Sequence, residues 1–170
     1  MNNFVLIVLA ILVVLGSAFA ISNRNTKEQA ASGDNLQTET ASIPLGKKLD
    51  LSGRGLKSIP ASVFTQTEIE SLDVSNNALG GAIQAEIRHL QNLKILNASN
   101  NQMTGVPAEI GQLQKLEVLD LSNNKLTGLP YELGNLKNLK TLNLSGNNYS
   151  KQDLDYIKSK LPSSTQIVTD

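Results

Sequence analysis

Few side chains in this 170-residue chain have the type and spacing that catalysis needs. Asp50 and Asp73 fall at equivalent places in two copies of a repeated pattern, and carboxylates about 5 Å apart form the catalytic pair of some glycosidases. His89 is the only histidine and there is no cysteine, which excludes thiolate chemistry and multi-histidine metal sites. Both aspartates would stand on an open surface without a pocket to raise the pKa of either one. We therefore predict a protein that is not an enzyme and that uses no cofactor or metal.

The charge balance limits the possible partners. Lys and Arg together number 15, Asp and Glu together also number 15, and the formal net charge is zero. A surface that binds nucleic acid normally carries a clustered basic stripe. We therefore exclude nucleic acid as a partner.

The elements that position Asp50 and Asp73 belong to a repeat. Its clearest copies read LEVLDLSNNKLTGLP from Leu116 and LKTLNLSGNNY from Leu139. An apolar pair marks five copies, at Leu49/Leu51, Leu72/Val74, Leu96/Ala98, Leu119/Leu121 and Leu142/Leu144. The first members of these pairs are 23, 24, 23 and 23 residues apart, and a fixed period in this range predicts a solenoid.

Each copy alternates with a period of two residues, which predicts a short strand with one buried face. Leu119 and Leu121 would point into the core, whereas Asp120 and Ser122 would point outward. Successive copies should stack their strands in parallel. After each turn, apolar residues three or four apart predict a short helical segment on the convex side of the solenoid.

Asparagine fills one column just after the strands, where the chain turns. Its members are Asn77, Asn101, Asn124 and Asn147. An amide side chain both donates and accepts hydrogen bonds, so we predict a structural asparagine ladder that satisfies the backbone groups of the turns. Arg54 occupies this column in the first copy, as expected for a terminal repeat that has no predecessor.

The pattern LxxLxLxxNxL, followed by a turn and an apolar residue with Pro, resembles the leucine-rich repeat family. The resemblance covers residues 46–150 and is to the class of about 23 residues with a Leu-Pro pair, as in plant Ras-group and many bacterial repeat proteins. It implies an α/β fold: a right-handed solenoid, shaped as a short horseshoe, with five parallel strands on its concave face. The second copy is one residue longer and has Gln84 in place of Pro, so we expect a looser turn near Gly80 and Gly81.

The pattern changes near the carboxyl end. Leu154, Ile157 and Leu161 form one stripe of an amphipathic helix, for which Ser150 is a suitable cap and Pro162 follows the end. A solenoid needs its last core layer covered. We expect residues 151–170 to form a cap whose helix covers that layer and the open edge of the sheet.

The amino-terminal residues 1–21 contain a stretch from Phe4 to Ile21 without a charge. As a helix it would be about 27 Å long, which is enough for the apolar core of a membrane. Two alternatives stay open. Ala18 and Ala20 fit a signal peptide cleaved after Ala20, whereas the lack of a basic residue before Phe4 fits a retained membrane anchor.

The charges beside the apolar stretch bear on which side of the membrane the repeat domain lies. Arg24 and Lys27 come after the apolar stretch, and the positive-inside tendency would place the remainder in the cytoplasm, but two charges are little evidence. We expect the repeat domain on the extracytoplasmic side, membrane-anchored or secreted. Residues 22–45 are polar and almost without large apolar side chains, which predicts a flexible linker.

Outward-facing strand positions are where folds of this family usually bind. The candidate binding positions on the concave face are Asp50, Asp73, Ile95, Asn97, Val118, Asp120 and Asn143. Two interpretations stay open: these are solvated consensus residues, or the aspartate, asparagine and serine columns bind a peptide or a glycan. No aromatic residue, a common anchor of tight interfaces, falls on these positions.

Three N-glycosylation sequons begin at Asn97, Asn143 and Asn148. They matter only if the chain passes through a glycosylating pathway. Two of them lie on predicted strands, and Asn-x-Ser arises readily from the consensus of this repeat, so chance is the simpler interpretation.

The sequence favours a non-catalytic protein-protein interaction module that an apolar segment and a linker display at or beyond a membrane. Its partner would be an unidentified protein or peptide, together with the membrane itself if residues 4–21 are not cleaved. The alternative is a structural or surface-adhesion repeat protein without a discrete binding site.

Overall fold

A computed structural model describes residues 46–170 of the chain. The predicted apolar segment at residues 4–21 and the predicted linker at residues 22–45 lie outside the described residues. Within residues 46–170, no helix is both long enough and apolar enough to cross a membrane.

The described residues contain eight short strands. They are β1 (Lys47–Asp50), β2 (Ile69–Asp73), β3 (Gly80–Gly81), β4 (Ile95–Asn97), β5 (Gln102–Met103), β6 (Val118–Asp120), β7 (Thr141–Asn143) and β8 (Gln166–Val168). A six-stranded sheet has the order β1-β2-β4-β6-β7-β8, and β3 pairs with β5 in a second sheet. All pairings are parallel, as expected when every crossover travels the same way around a solenoid.

Short helices return the chain between the strands of the larger sheet. Within residues 46–170, the 3-10 helices are Ala61–Val63, Ala85–His89, Ala108–Gln112 and Tyr131–Asn135. Proline precedes three of them, where its fixed φ and missing N–H suit a helix start. One α-helix, α1 (Lys151–Lys160), follows β7. The predicted short helical segments are confirmed.

Leucines at matching places fill the core. Leu72, Leu96, Leu119 and Leu142 lie side by side in the register of the sheet, and all four are fully buried. Burial of one such side chain is worth about 1.5–3 kcal/mol. The fully buried residues that the later helices contribute to the same layer are Ile87, Ile110, Leu133 and Ile157. The predicted α/β solenoid is therefore confirmed, with one apolar layer between its sheet and its helices.

Glycine allows neighbouring helices to approach closely. A Cβ atom added at Gly111 would lie 2.3 Å from the carbonyl oxygen of Glu132, which is too short for any side chain. A Cβ atom at Gly134 would lie 2.7 Å from Cβ of Lys160. Helix α1 therefore continues the column that the 3-10 helices form.

The turn of the second repeat is ordered, and the expectation of a looser turn is wrong. Gly80 and Gly81 form β3, which pairs with β5 of the next repeat. Gly81 has a φ of +65°, a region that glycine reaches without strain. Gln84, in the place of Pro, donates from Nε2 to the carbonyl oxygen of Ile59 at 2.6 Å. The pairing of β3 with β5 in the second sheet thus accommodates the additional residue of the second repeat.

The carboxyl-terminal cap differs from the expectation in one respect. Helix α1 begins after Ser150, whose Oγ accepts a hydrogen bond from the amide of Asp153 at 3.3 Å. The expectation that this helix covers the edge of the sheet is wrong, because β8 pairs with β7 and covers it. Residues 166–168 lack the LxL pattern, and Val168 pairs with Asn143 at a separation of 25 residues (168 − 143). For these two reasons the repeat pattern did not predict β8.

Asp170 completes the last turn. In the repeats before it, the turn amide donates to a serine carbonyl of the next repeat, as Asn123 does to Ser145 at 2.8 Å. Gly146 instead donates to Oδ1 of Asp170 at 2.7 Å. Burial, and then the nearby Asp170 carboxylate, raise the pKa of Tyr149. A side-chain oxygen thus replaces the backbone acceptor of an absent repeat.

Removal of residues 151–170 should make the protein aggregate, because it uncovers the last core layer and leaves β7 with an unpaired edge. Removal of only Thr169 and Asp170 is the matched control, since it keeps α1 and β8. Size-exclusion chromatography with light scattering should show large assemblies for the first variant and a monomer for the second. A monomeric long deletion with an unchanged melting temperature would contradict this role of the cap.

Candidate functional site on the concave face

We call the outward positions of β1, β2, β4, β6 and β7 the concave face. Three columns of side chains run across these strands. The central column holds Asp50, Asp73, Asn97, Asp120 and Asn143; the preceding column holds Lys48, Ser71, Ile95, Val118 and Thr141; the following column holds Ser52, Ser75, Ser99, Ser122 and Ser145. The strand register therefore brings all seven candidate binding positions together on one surface.

Most of the central column is shielded from solvent, which differs from the expected exposed surface. Asp73, Asn97, Asp120 and Asn143 are 6%, 4%, 6% and 3% exposed, whereas Asp50 on the first strand is exposed. Strands about 4.8 Å apart place these side chains flank to flank, so each one covers part of the next. The period-two alternation in the sequence predicts which way a side chain points. It does not predict how much of that side chain its neighbours on adjacent strands shield from solvent.

Each shielded aspartate accepts hydrogen bonds from its own strand end and from the next repeat. Oδ1 of Asp120 accepts from the amide and the hydroxyl of Ser122 at 2.9 and 2.7 Å. Oδ2 of Asp120 accepts from Nδ2 of Asn143 at 3.2 Å, and Asp73 is bonded to Asn97 in the same way at 3.1 Å. The order of Asp and Asn in the column thus pairs an acceptor with a donor across β2–β4 and β6–β7.

Asp50 lies on the first strand and has a different environment. Its Oδ1 accepts from the amide and the hydroxyl of Ser52 at 2.9 and 2.7 Å. The Ser52 hydroxyl and amide, and then the charge of Arg54, lower the pKa of the Asp50 carboxyl. A glycosidase acid needs a raised pKa, so the environment of Asp50 does not suit the acid role in the pair that its spacing from Asp73 suggested. No group of three or more His, Cys, Asp or Glu side chains within residues 46–170 is placed to hold a metal ion.

Two aliphatic side chains meet in the preceding column. Ile95 and Val118 pair across β4 and β6 and are 7% and 8% exposed. Ser71 and Thr141 flank them on β2 and β7. We call these two residues the Ile95–Val118 patch; they are the apolar members of the three columns.

The asparagine column lies at the turns that follow the strands. Oδ1 of Asn124 accepts from the amide of Met103 at 3.0 Å, and its Nδ2 donates to the carbonyl oxygens of Ala98, Leu121 and Ser122 at 3.0, 3.0 and 3.2 Å. Met103 and Ala98 belong to the preceding repeat, so this one amide joins two repeats. Equivalent bonds are made by Asn77, Asn101 and Asn147.

Arg54 takes the asparagine place in the first repeat. Its guanidinium Nη2 donates to the carbonyl oxygen of Asp50 at 2.9 Å. Its own amide donates to Oδ1 of Asn77 at 2.9 Å. The ladder asparagines instead bond the carbonyl oxygens two and three residues before them, as Asn77 does with Ser75 and Val74, so Arg54 makes a different bond in this place.

A second constraint at the turns was not predicted from the sequence. Asn76, Asn100 and Asn123 have φ angles of 55°, 54° and 52°. This left-handed region is open to glycine and, among other residues, mainly to asparagine and aspartate. Gly53 and Gly146 hold the same place in the first and last repeats, with φ angles of 64° and 67°. The signal was present, since Asn or Gly precedes the ladder position in every copy.

Charged side chains just before the strands form a ladder that was also not predicted. Nζ of Lys94 lies 2.8 Å from Oε2 of Glu70, and Nζ of Lys140 lies 2.6 Å from Oε2 of Glu117. Hydrogen bonds from Lys94 and from the amide of Gly46 lower the pKa of Glu70. The signal was the alternation of Glu and Lys at the repeat period. Surface ion pairs of this kind contribute little to stability. The ladder therefore mainly sets the charge pattern along this edge of the strands.

Asn124→Ala should lower the free energy of unfolding by about 1–3 kcal/mol, because it leaves the Met103 amide without a partner. It also removes one of the two donors to each of the carbonyl oxygens of Ala98, Leu121 and Ser122. Asn123→Gly is the matched control, since glycine accepts the left-handed φ and Gly146 already holds this place in the last repeat. Urea unfolding followed by circular dichroism measures both variants. Equal, small losses for the two would show that the column is not structural.

Asp120→Ala should destabilise the protein more than Asp50→Ala. The carboxylate of Asp120 accepts hydrogen bonds from both Ser122 and Asn143, whereas the carboxylate of exposed Asp50 accepts them from Ser52 alone. The expected difference in the free energy of unfolding is about 1–2 kcal/mol. A larger loss for Asp50→Ala would contradict the assignment of the shielded aspartates as structural acceptors.

Comparison with known proteins identifies the repeat. Profiles of the family described as leucine rich repeat match residues 47–103, 91–148 and 138–159. Receptor-like protein 18 of Arabidopsis thaliana is 39% identical over 58 residues, which are 34% of this chain and 7% of that protein. A solved leucine-rich repeat protein of Leptospira interrogans has a TM-score of 0.60 and 37% identity, covering 65% of this chain and 28% of that chain.

A receptor kinase has also been solved with the same fold. HAESA of Arabidopsis, in complex with the peptide hormone IDA and the co-receptor SERK1, has a TM-score of 0.55 and 34% identity, covering 66% of this chain and 19% of that chain. This chain thus spans less than a third of the length of the receptor-like protein, the Leptospira protein and HAESA. Because the family profiles cover more than half of its residues, and its sheet and buried leucines follow the same period, the chain belongs to the leucine-rich repeat family.

Proposed function

We propose that this chain is a non-catalytic module that binds a protein or peptide ligand on its concave face. The observation that carries the proposal is the Ile95–Val118 patch, two adjacent aliphatic side chains within otherwise polar columns. An apolar centre within a polar surround is the usual anatomy of a binding interface.

The solved relatives support a peptide as the first ligand class to test. HAESA was solved with a peptide hormone, and it shares 34% identity and the repeat fold with the matched part of this chain. Both chains present parallel strands of leucine-rich repeats. From this likeness we propose only the class of ligand, a peptide, and not the identity of the hormone.

The size of the concave face limits the ligand. The six strands of the larger sheet, about 4.8 Å apart, span about 24 Å, the length of roughly seven residues of extended chain. Three columns on five strands give 15 positions, fewer than the roughly 20–30 residues that each side of a standard interface uses. The surface therefore suits a short peptide, or one contact within a multivalent assembly.

The hydrogen bonds of the central column make this surface rigid before a ligand arrives. Asp73 and Asp120 are held by the asparagines of the next repeat and by the serines that follow them. Side chains that are already fixed lose little rotamer freedom on binding. Affinity then depends on how well a ligand fits the shape around the patch.

A structural or surface-adhesion role is the second candidate, and one observation favours it. Within residues 46–170, every buried side-chain nitrogen and oxygen has a hydrogen-bond partner in the fold. The concave face therefore holds no buried polar group that a ligand is needed to satisfy. Broad, salt-sensitive and non-saturating attachment to cell surfaces would be the signature of this role.

We further propose that residues 4–21 and the linker at 22–45 display the repeats on the extracytoplasmic side. The uncharged stretch in the sequence supports this display, and so does the similarity to a plant receptor-like protein. Membrane fractionation with mass determination of the amino terminus tests it. A soluble exported chain starting at Ile21 indicates cleavage after Ala20, and a membrane-bound chain starting at Met1 indicates a retained anchor. Repeats that external protease reaches only after cell lysis would contradict the proposed side.

The double change Ile95→Thr and Val118→Thr should weaken peptide binding at least tenfold, about 1.4 kcal/mol. Because both side chains are less than a tenth exposed, it should also lower the melting temperature, and affinity is therefore measured well below the unfolding transition. Threonine keeps the β-branched shape, and Thr141 already stands in the same column. The ligand would be a synthetic peptide selected from a displayed library of linear peptides, with affinity measured by calorimetry.

Lys125→Thr, an exposed change at a turn, is the control for that experiment. It should leave the affinity unchanged. A selected peptide that binds the double variant as tightly as the unchanged protein would place the site elsewhere. Failure to select any saturable peptide would favour the adhesion role.

A further inference from the structure

We propose that Asn148 is the acceptor of an N-linked glycan and that Asn97 and Asn143 are not. All three begin an Asn-x-Ser sequon, so the sequence alone does not rank them. The proposal rests on the proposed export of the repeat domain, because the chain must enter a glycosylating compartment. The surroundings of the three amides differ enough to separate them.

Two of the three acceptor nitrogens are engaged inside the concave face. Nδ2 of Asn97 donates to Oδ2 of Asp73 at 3.1 Å, and Nδ2 of Asn143 donates to Oδ2 of Asp120 at 3.2 Å. Both asparagines are less than a tenth exposed. A glycan on either nitrogen would occupy the space of the neighbouring strand's side chains. A chain modified there could not form the observed sheet.

Asn148 has open surroundings. It lies in the loop between β7 and α1 and is exposed, and its side chain makes no hydrogen bond to any of residues 46–170. The residues on both sides are anchored: Nδ2 of Asn147 donates to the carbonyl oxygen of Leu144 at 3.1 Å, and Tyr149 packs against the core. The backbone amide of Asn148 donates to the carbonyl oxygen of Leu126 at 3.1 Å. A fixed backbone therefore presents a free amide to solvent.

The repeat tolerates varied side chains at this place. The residues that hold it in the other copies are Gly55, Ala78, Gln102 and Lys125. Gln102 and Lys125 are both exposed, although each has a repeat on either side of it. Because a long side chain fits there within the solenoid, a substituent on Asn148 can extend into solvent without displacing a neighbouring strand.

The reaction is a glycosyl transfer from a lipid-linked oligosaccharide. Nδ2 of Asn148 forms a bond to the anomeric carbon of the first sugar, and the bond from that carbon to the lipid diphosphate breaks. The diphosphate leaves with the electron pair, and the amide loses one proton. Ser150, the third residue of the sequon, continues to accept from Asp153 and to cap α1.

The test is expression of the full chain in a cell that performs N-glycosylation, once with its own amino terminus and once behind an added secretory leader. Enzymatic glycan removal and peptide mass spectrometry locate the modification. The secreted protein should carry one glycan, on Asn148. Asn148→Gln should remove it, whereas Ser150→Thr, which keeps both the sequon and a capping hydroxyl, should retain it. Both variants should melt at the temperature of the unchanged chain.

The possible results test two claims separately: that Asn148 is the acceptor and that the repeat domain is exported. Secreted protein with a glycan on Asn97 or Asn143, or with none on Asn148, would overturn the proposal. Modification at Asn148 only behind the added leader would support the acceptor and show that the proposed export is wrong. Modification of both forms at Asn148 would support the acceptor and the export together.

Discussion

The asparagine at the turn of each repeat is the interaction on which the rest of this solenoid depends. Each turn buries backbone amides and carbonyl oxygens that no strand or helix pairs, and one amide side chain satisfies four of them, as Asn124 does. Because two of those partners lie in the preceding repeat, the same side chain fixes the stacking distance and the strand register. Within residues 46–170, four such bridges join the five repeats.

At the two ends of the domain, other side chains make the contacts for which a neighbouring repeat supplies no partner. Arg54 supplies a guanidinium donor in the first repeat, and Asp170 supplies a carboxylate acceptor after the last. The residue before each ladder position must adopt a left-handed φ, which restricts that place to Asn and Gly. The side chains of the concave face are therefore spaced at the same regular interval as the repeats. Asp73 and Asp120 bond to the asparagines of the next repeat and are structural, and the Ile95–Val118 patch is the part of the surface on which we propose that a ligand binds.

Much of this fold could be predicted because its signals are local and repeated. The spacing of Leu72, Leu96 and Leu119 gave the strands and the core, and the family resemblance is confirmed by the profiles. Strand β8 could not be predicted, since Ile167 and Val168 join the sheet through backbone pairing without the repeat's leucines. The shielding of Asp73 and Asp120 could not be predicted either, because it comes from neighbours in other repeats. The binding role of the concave positions stays a prediction.

Native-state hydrogen exchange tests the central claim most directly. The amides of Leu56, Leu79, Met103 and Leu126 each donate to the Oδ1 atom of a ladder asparagine at 3.0 Å. They lie at or beside turns, where exchange is ordinarily fast. If the asparagine column holds the solenoid together, the three inner amides should exchange only through global unfolding, as slowly as the amides of β4 and β6. Exchange through local opening, at a rate that denaturant does not change, would contradict the claim.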